Sequence, residues 1–309
     1  MEQTDDKPKI SVIIVSYNTL DHIKSCLAAL STESIHEIII VDNASKDGTP
    51  EFLQSDHPEV KLIKNATNRG FGAANNQGIE AMTGDLAFLL NSDCLPHPGA
   101  IETLAVPFRD PQVIATGGKL LNTDSTRQQS ACNSLTLWAV TCEQFLLEKL
   151  FPSSPFFSPY WQSTRIIAQT DQPTEVDQVM GACLIFQPVE KFDEQFFLYC
   201  EDTELCRRLT KHGKILYVPQ AEFTHALGAS STGNRWWSIA MYNRGKELYF
   251  RIHYGPAFQA LCWWLNRNGA LLRLLIKPRE AKQWWRVLTV PFTGPNLPED
   301  AAKTMRSEL

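Results

Sequence analysis

Acidic residues in this chain of 309 residues stand at or just after the ends of apolar runs at three places. These acidic residues are Asp42, Asp93, and the adjacent pair Glu201 and Asp202. The runs before them are Ile38 to Val41, Leu86 to Leu90 and Phe196 to Tyr199. The carboxyl ends of strands in an open α/β sheet converge on one crevice, so carboxylates there can meet although the sequence separates them. The sequence therefore predicts one site that joins the three places.

The pair Glu201 and Asp202 could supply a general base. Asp202 is expected where a helix begins, and the free amides and macrodipole there favour its ionised form. An ionised carboxylate near a hydroxyl can make that hydroxyl a nucleophile, and Glu201 could bind substrate or tune its neighbour. The alternative is an acidic helix start paired with Arg207 or Arg208. The preceding aromatic residues favour a site, because they would wall a crevice: Phe196, Phe197 and Tyr199.

Asp93 is the candidate metal ligand, at the end of the sequence NSD. A hard divalent cation held by few protein ligands completes its shell with water and phosphate oxygens. His225, which follows a predicted strand, is a second candidate ligand. The alternatives are that Asp93 caps a helix starting near Pro96 or Pro98 and that His225 is structural.

Two turns and a glycine-rich loop could bind a nucleotide. Asp42 could accept a hydrogen bond from a base or a ribose, although this residue and its neighbours also commonly form turns without any ligand. Residues 65–78 could lay backbone close to a diphosphate, with Arg69 directed toward its charge. The glycine spacing in this loop matches neither a dinucleotide fingerprint nor a Walker loop.

Strands and helices alternate in the first half of the sequence, which predicts a mostly parallel sheet with crossover helices. Residues 122–174 are expected to form an insertion that includes a helix from Leu135 to Leu150. The predicted strands are Ile10 to Val15, Ile38 to Val41, Val60 to Ile63, Leu86 to Leu90, Val113 to Gly117, two short strands around Gly181, and Ile215 to Val218. The predicted helices near the site are Ala73 to Met82, Pro98 to Phe108 and Thr203 to His212.

Composition narrows the class of protein. A hydrophobic fraction of 43% with 20% charged residues is ordinary for a globular chain that buries a core. A net charge of −5 argues against a nucleic-acid-binding protein, which needs a basic face. The eight cysteines are interpreted as reduced core residues of a cytoplasmic protein, and the polar start of the chain does not have the pattern of a signal peptide.

The sequence after Gly233 is rich in Trp, Arg and Leu and predicts helices through Tyr254 and from Pro256 to Ile276. Polar residues interrupt the apolar runs before they reach the ~18 residues that a membrane span needs. The pattern over 251–285 suits helices lying in a membrane interface. A helix packed on the sheet, or a homodimer contact, explains the same pattern.

Six segments taken together resemble family 2 glycosyltransferases, specifically the rhamnosyltransferase-like branch. In order they are SVIIVSYN, IIIVDNASKDGT, NRGFGAANNQG, LLNSDC, VMGACLIF and FDEQFFLYCEDTELCRRL, and they cover about residues 9–228. The resemblance implies the α/β GT-A nucleotide-diphospho-sugar transferase fold over 1–232, with helices flanking a central sheet and a helical C-terminal region over 233–309.

The resemblance also implies roles for individual residues. Asp202 would be the base, assisted by Glu201, and Asp42 would read the nucleotide base. The remaining donor-binding residues would be Ser16, Tyr17, Asn18, Asn43, Arg69, Gly72, Asn75 and Ser92. The acceptor pocket would include Gly181, Ala182 and Tyr199. Asp93 and His225 would hold Mg²⁺ or Mn²⁺; many relatives have an acidic residue where Asn91 stands, so this chain offers one carboxylate fewer.

The implied activity is inverting transfer of rhamnose from dTDP-rhamnose, or of a hexose from a UDP-sugar. The acceptor would be a hydroxyl of a cell-surface polysaccharide or a lipid-linked precursor, reached from the cytoplasm or the inner face of the membrane. The alternative is a catalytically silent scaffold subunit that binds the same sugar nucleotide. A nucleotidylyltransferase would need a basic, glycine-rich segment near the N-terminus, and SYNTLDHIKS does not provide one.

Overall fold

The computed structural model describes residues 7–161, 171–226 and 235–289. Its first part alternates strands and helices as the sequence predicts, because runs of β-branched apolar residues form strands and polar turns separate them from amphipathic helices. The elements are β1 Ile10–Ser16, α1 Leu20–Leu30, β2 Glu37–Asp42, α2 Thr49–Asp56, β3 Lys61–Lys64, α3 Phe71–Ala81 and β4 Leu86–Leu90.

The second part carries the elements that surround the acidic pair. They are β5 Cys94–Pro96, α4 Ala100–Ala105 with a 3₁₀ turn Val106–Arg109, β6 Val113–Leu121, β7 Ala131–Cys132, α5 Leu137–Gln144, α6 Leu147–Leu150, β8 Thr174–Val176, β9 Gln178–Val179 and β10 Cys183–Phe186. After them come α7 Glu201–Leu209, β11 Lys214–His225, α8 Arg235–Tyr254, α9 Pro256–Ile276, a 3₁₀ turn Pro278–Glu280 and α10 Ala281–Thr289.

The central sheet has the order β3-β2-β1-β4-β10-β6-β11-β5, and β8 also pairs with β11. The first four strands of this order are parallel, as are β6 and β11, whereas β10 runs antiparallel between β4 and β6. The predicted α/β architecture is confirmed, and the sheet is mixed. Because β10 is reversed, its beginning lies at the carboxyl end of β4, where the amide of Asn91 donates to the carbonyl of Ala182 over 3.1 Å.

Several predicted boundaries differ from the structure. The helix expected from Leu135 to Leu150 is divided at Leu146, whose φ of 62° interrupts it. The strand expected to end at Val218 continues to His225, and residues 94–96 pair with it as β5. Since α4 begins only at Ala100, Asp93 does not cap a helix.

The C-terminal helices share a hydrophobic core with the insertion. Its buried members come from three parts of the chain, namely Leu135, Ala139, Val140 and Tyr160; Phe196 and Cys200; and Leu248, Tyr249, Phe250, Cys262 and Leu265. The domain boundary expected after residue 232 lies outside the described residues. All eight cysteines are buried and free, as predicted, and no helix among the described residues is long and apolar enough to span a membrane.

The shared core predicts cooperative unfolding. Leu265→Ala should lower the free energy of unfolding by about 2–5 kcal/mol, because Leu265 is buried between α8, α9 and the insertion. The matched change Leu261→Ala, on the same helix but half-exposed, should cost less than about 0.5 kcal/mol. Urea unfolding followed by tryptophan fluorescence measures both. A separate early transition in the Leu265 variant would show that the helices unfold on their own.

Candidate active site

Asp202 lies in the first turn of α7, with each carboxylate oxygen held by a backbone amide. Gly181 donates to Oδ2 over 3.0 Å, and Thr203 donates to Oδ1 over 2.7 Å. Gly181 permits this approach, since a Cβ there would come within 3.2 Å of the Asp202 Cβ. The carboxylate is thus fixed from both sides.

Burial raises the pKa of Asp202, and the hydrogen bonds from Gly181 and Thr203 offset only part of this rise. The amides at the helix start lower the pKa of Asp202, as expected, but desolvation outweighs them and the net shift is upward. A raised pKa makes Asp202 a stronger base once it is ionised. The arginine pairing considered for this acidic helix start involves Glu204 and not Glu201 or Asp202: Arg208 pairs with Glu204 and Glu190, and Arg207 donates to two tyrosines.

Glu201 is buried beside Asp202, and its Oε2 has no hydrogen-bond partner among the described residues. Burial and the charge of Asp202 raise the pKa of Glu201 to about 8. Glu201 therefore holds a proton at neutral pH and can donate a hydrogen bond.

A cavity of about 300 Å³ opens beside these acids. Its walls come from three parts of the chain: the segments around β9 and the start of α7, the insertion, and α8. They comprise the aromatic residues Tyr160, Trp161, Tyr199 and Tyr242, the acids Glu143, Glu148, Glu201 and Asp202, and the smaller or neutral residues Leu135, Ala139, Gln178, Met180, Cys200 and Thr203. Of these, the sequence predicted only Tyr199 and the acidic pair; the others meet through tertiary packing that no local motif announces.

The charge of the cavity is dominated by carboxyl groups. Glu143 pairs with the fully buried Lys246, whose Nζ lies 2.7 Å from its Oε2. Burial, and then the charge of Glu143, raises the pKa of Glu148. A cavity lined by carboxyl groups and aromatic rings suits a neutral polyhydroxylated ligand better than an anion.

Asp93 and His225 meet at the end of β11. The Nε2 of His225 lies 3.3 Å from Oδ1 of Asp93, and the Nδ2 of Asn91 lies 3.3 Å from the same nitrogen. Among the described residues, no group of three or more His, Cys, Asp or Glu side chains is placed to hold a metal. One carboxylate and one imidazole nonetheless fit a divalent cation that takes its other ligands from phosphate and water.

Gln128 orients this histidine, although no motif in the sequence pointed to it. Its Nε2 donates to the His225 carbonyl over 2.5 Å, so its Oε1 must accept from His225 Nδ1, 3.0 Å away. This arrangement places the ring proton on Nδ1. The other ring nitrogen, Nε2, then carries no proton, and its lone pair faces Asp93.

Asp42 and Asn43 organise the neighbouring carboxyl edge. Asp42 is buried and accepts hydrogen bonds from Ser16 Oγ over 2.9 Å and from the Ser45 amide over 2.9 Å. Asn43 donates to the carbonyl of Gly70 over 3.1 Å, which holds the glycine-rich loop against β2. Asp42 and Asn43 therefore do stabilise the turn after β2, which was the alternative to a role in ligand binding.

The other predicted donor-binding residues are spread around this edge. Asn18, exposed, accepts from the Lys46 amide; Tyr17 is half-buried; and Ser92 is buried between Asn91 and Asp93. Arg69 pairs with Glu194 at 3.4 Å. Gly72 and Asn75 belong to the packing of α3, because a Cβ at Gly72 would lie 3.0 Å from the Phe192 Cβ and Asn75 donates to the carbonyl of Phe71.

Contacts connect the glycine-rich loop to Asp202. The amide of Phe71 donates to the carbonyl of Phe197 over 2.9 Å, and the Phe71 ring lies against Gly181, whose amide holds Asp202. Ala182 also accepts from the Asn91 amide beside Asp93, so residues 181 and 182 connect Asp202 to the carboxyl end of β4.

The raised pKa of Glu201 predicts a pH-dependent stability. Unfolded Glu201 ionises near pH 4.5, whereas the folded chain keeps its proton to about pH 8, so the free energy of unfolding should fall between these values. Glu201→Gln removes this dependence: it should match wild type near pH 4 and be more stable near pH 8.5. Urea unfolding at both pH values measures this, with the exposed Glu51→Gln as control. An equal difference at both pH values would contradict an elevated pKa.

Solved structures of glycosyltransferases share this fold. One is GalNAc-T7 with UDP, GalNAc and Mn²⁺, with a TM-score of 0.58 and 14% identity over 90% of this chain; the chain spans 55% of that structure. A second is the mannosyltransferase PcManGT from Pyrobaculum calidifontis with GDP-Man and Mn²⁺, with a TM-score of 0.54 and 15% identity over 98% of this chain and 80% of that one. These likenesses show the GT-A fold.

Sequence comparison gives a more specific result. N-acetylglucosaminyl-diphospho-decaprenol L-rhamnosyltransferase of Mycobacterium tuberculosis is 28% identical over 284 residues, which cover 85% of this chain and 91% of the relative. The model of glycosyl transferase family 2 matches residues 11–165. The chain therefore belongs to glycosyl transferase family 2 and is rhamnosyltransferase-like.

Proposed function

We propose that this enzyme transfers a sugar, with inversion, from a nucleotide diphosphate donor to a hydroxyl of a cell-surface polysaccharide or a lipid-linked precursor. The donor is rhamnose from dTDP-rhamnose or a hexose from a UDP-sugar. The observation that carries the proposal is the Asp202 carboxylate, fixed by two backbone amides at the wall of a sugar-sized cavity. The similarity to a rhamnosyltransferase over most of both chains supports it.

The acceptor enters the cavity beside Asp202. The cavity has a volume of about 300 Å³, which is at the lower end for ligand pockets and suits one pyranose ring. Aromatic walls can pack against the C–H faces of a sugar, while Glu148 and Glu201 can bind its hydroxyls. This assignment places the reacting hydroxyl against Asp202.

Asp202 then removes the proton of the acceptor hydroxyl. The oxygen attacks the anomeric carbon from the side opposite the diphosphate, so the configuration inverts in a single displacement. Glu201, which keeps its proton, donates to a neighbouring oxygen of the acceptor and does not compete for the transferred proton.

The donor lies along the carboxyl edge that joins β2, β1 and β4. Asp42, set by Ser16 and Ser45, faces the nucleoside, together with Tyr17 and Asn18 at the end of β1. Asp93 and His225 would hold Mg²⁺ or Mn²⁺, which when bound neutralises charge on the departing diphosphate. The solved relatives with Mn²⁺ and a nucleotide or sugar nucleotide support this assignment.

Replacement of the base tests the mechanism. Asp202→Asn should lower transfer by about 10²–10⁴-fold, because the amide cannot accept the proton, while donor affinity is retained. Release of nucleoside diphosphate in the presence of acceptor measures turnover, and the exposed Asp21→Asn is the control. Wild-type turnover in the Asn variant would remove Asp202 from the mechanism. Tight donor binding without release by wild type would indicate a silent sugar-nucleotide-binding subunit.

Metal binding has its own test. Mn²⁺ should raise the Tm of the enzyme with UDP or dTDP present, and Asp93→Asn or His225→Gln should abolish that shift. Gln128→Leu should weaken metal affinity by about 10–100-fold, because the imidazole loses its orientation. His97→Gln, at a histidine that binds Thr224 on the same strand, is the control. An unchanged Mn²⁺ shift in the His225 variant would place the metal elsewhere.

A further inference from the structure

Helix α9 buries two polar residues beside Cys262, Leu265 and Ala270, and it exposes several apolar ones. The buried face includes Asn266 and Arg273, whereas Leu261, Trp264 and Leu275 are 46%, 52% and 71% exposed. A surface helix of a water-soluble protein ordinarily keeps polar residues on its outer side, whereas this helix has apolar side chains there.

Specific hydrogen bonds fix this orientation. Asn266 donates to Glu247 over 2.8 Å, and Arg273 donates to the carbonyls of Gln144 and Glu143 over 2.6 and 2.8 Å. Turning the helix to hide its apolar residues would leave Glu247 and two carbonyl groups buried without these partners, which is costly. The outward position of the apolar residues is therefore built into the packing.

The exposed apolar residues form one line, here called the α9 stripe: Phe258, Leu261, Trp264, Leu271 and Leu275. Their spacing of three, three, seven and four residues keeps them on one side of the helix, over about 26 Å. The exposed ring of Tyr254, at the end of α8, stacks on Phe258 and so continues this apolar surface.

The same segment is strongly basic. Residues 251–286 contain seven Lys or Arg residues and one acidic residue, in a chain whose net charge is −5. Arg251 lies before the stripe, and Arg279 and Lys282 lie after it, all with exposed side chains. The rest of the chain is correspondingly acidic, so an anionic surface would attract this side and repel the remainder.

We propose that the α9 stripe docks on a lipid bilayer containing anionic phospholipids. The apolar side chains enter the boundary between headgroups and acyl chains, and the basic residues at both ends contact the lipid phosphates. A second copy of the chain fits less well, because a two-fold contact between antiparallel stripes would bring Arg251 of each copy toward the partner's basic end. This inference is independent of the donor and acceptor proposed for the enzyme.

Vesicle flotation of the full chain tests the proposal. Wild type should float with vesicles of phosphatidylcholine and phosphatidylglycerol, and far less with phosphatidylcholine alone. Leu261→Glu combined with Trp264→Glu should weaken binding by about a hundred-fold, because two anchoring side chains become charged. Arg279→Gln with Lys282→Gln should weaken it by about ten-fold or more. The matched control is Val106→Glu with Val189→Glu, two exposed valines outside the stripe.

Each variant should keep the wild-type Tm and the wild-type turnover with a water-soluble acceptor, since its changed side chains are exposed and outside the cavity. Failure of wild type to float with either kind of vesicle would overturn the proposal, as would unchanged flotation of the stripe variant. Sedimentation velocity adds a further outcome: a wild-type dimer that the stripe variant converts to monomer would assign the stripe to a second copy instead.

Discussion

The hydrogen bond from the Gly181 amide to Asp202 is the interaction on which the site depends. It requires the reversed direction of β10, because only a strand that begins at the carboxyl end of β4 can bring residue 181 beside the start of α7. A Cβ at position 181 would lie 3.2 Å from the Asp202 Cβ, so glycine allows this approach without displacing the Asp202 side chain. Ala182, in the same short segment, accepts a hydrogen bond from Asn91. This segment therefore fixes the position of Asp202 relative to the proposed metal ligands.

Two adjacent carboxyl groups in one buried site cannot both ionise freely. Their hydrogen-bond partners decide which of the two keeps its proton. Asp202 receives two amide hydrogen bonds, while Glu201 has an oxygen with no partner among the described residues and a pKa of about 8. Each ionisation raises the pKa of the neighbour, so the proton stays on the group with fewer donors. Local hydrogen bonding therefore gives two similar side chains different protonation behaviour, which the proposed roles of base and hydrogen-bond donor require.

The sequence predicts elements where local patterning decides them. Strand Leu86–Leu90 and helix Pro256–Ile276 have the predicted bounds, because an unbroken apolar run and a Gly-Pro start are local signals. No local signal predicts the direction of β10, because it depends on which strands pair. The break at Leu146 is equally hidden, because a leucine there adopts the left-handed conformation that a glycine would have announced. Likewise, acids at strand ends were visible in the sequence, whereas Gln128 and Tyr242 reach the site only through packing between distant segments.

The C-terminal helices connect two proposed roles. Helix α8 contributes Tyr242 to the cavity, and it packs on α9, which carries the stripe, through the core that contains Leu248 and Leu265. Packed helix axes lie about 8–10 Å apart, so a bilayer against α9 would lie at a fixed, short distance from the acceptor cavity. An acceptor sugar joined to a lipid must keep its lipid in the bilayer while the sugar meets Asp202. A rigid helix pair between membrane and cavity meets that requirement without any movement of the catalytic core.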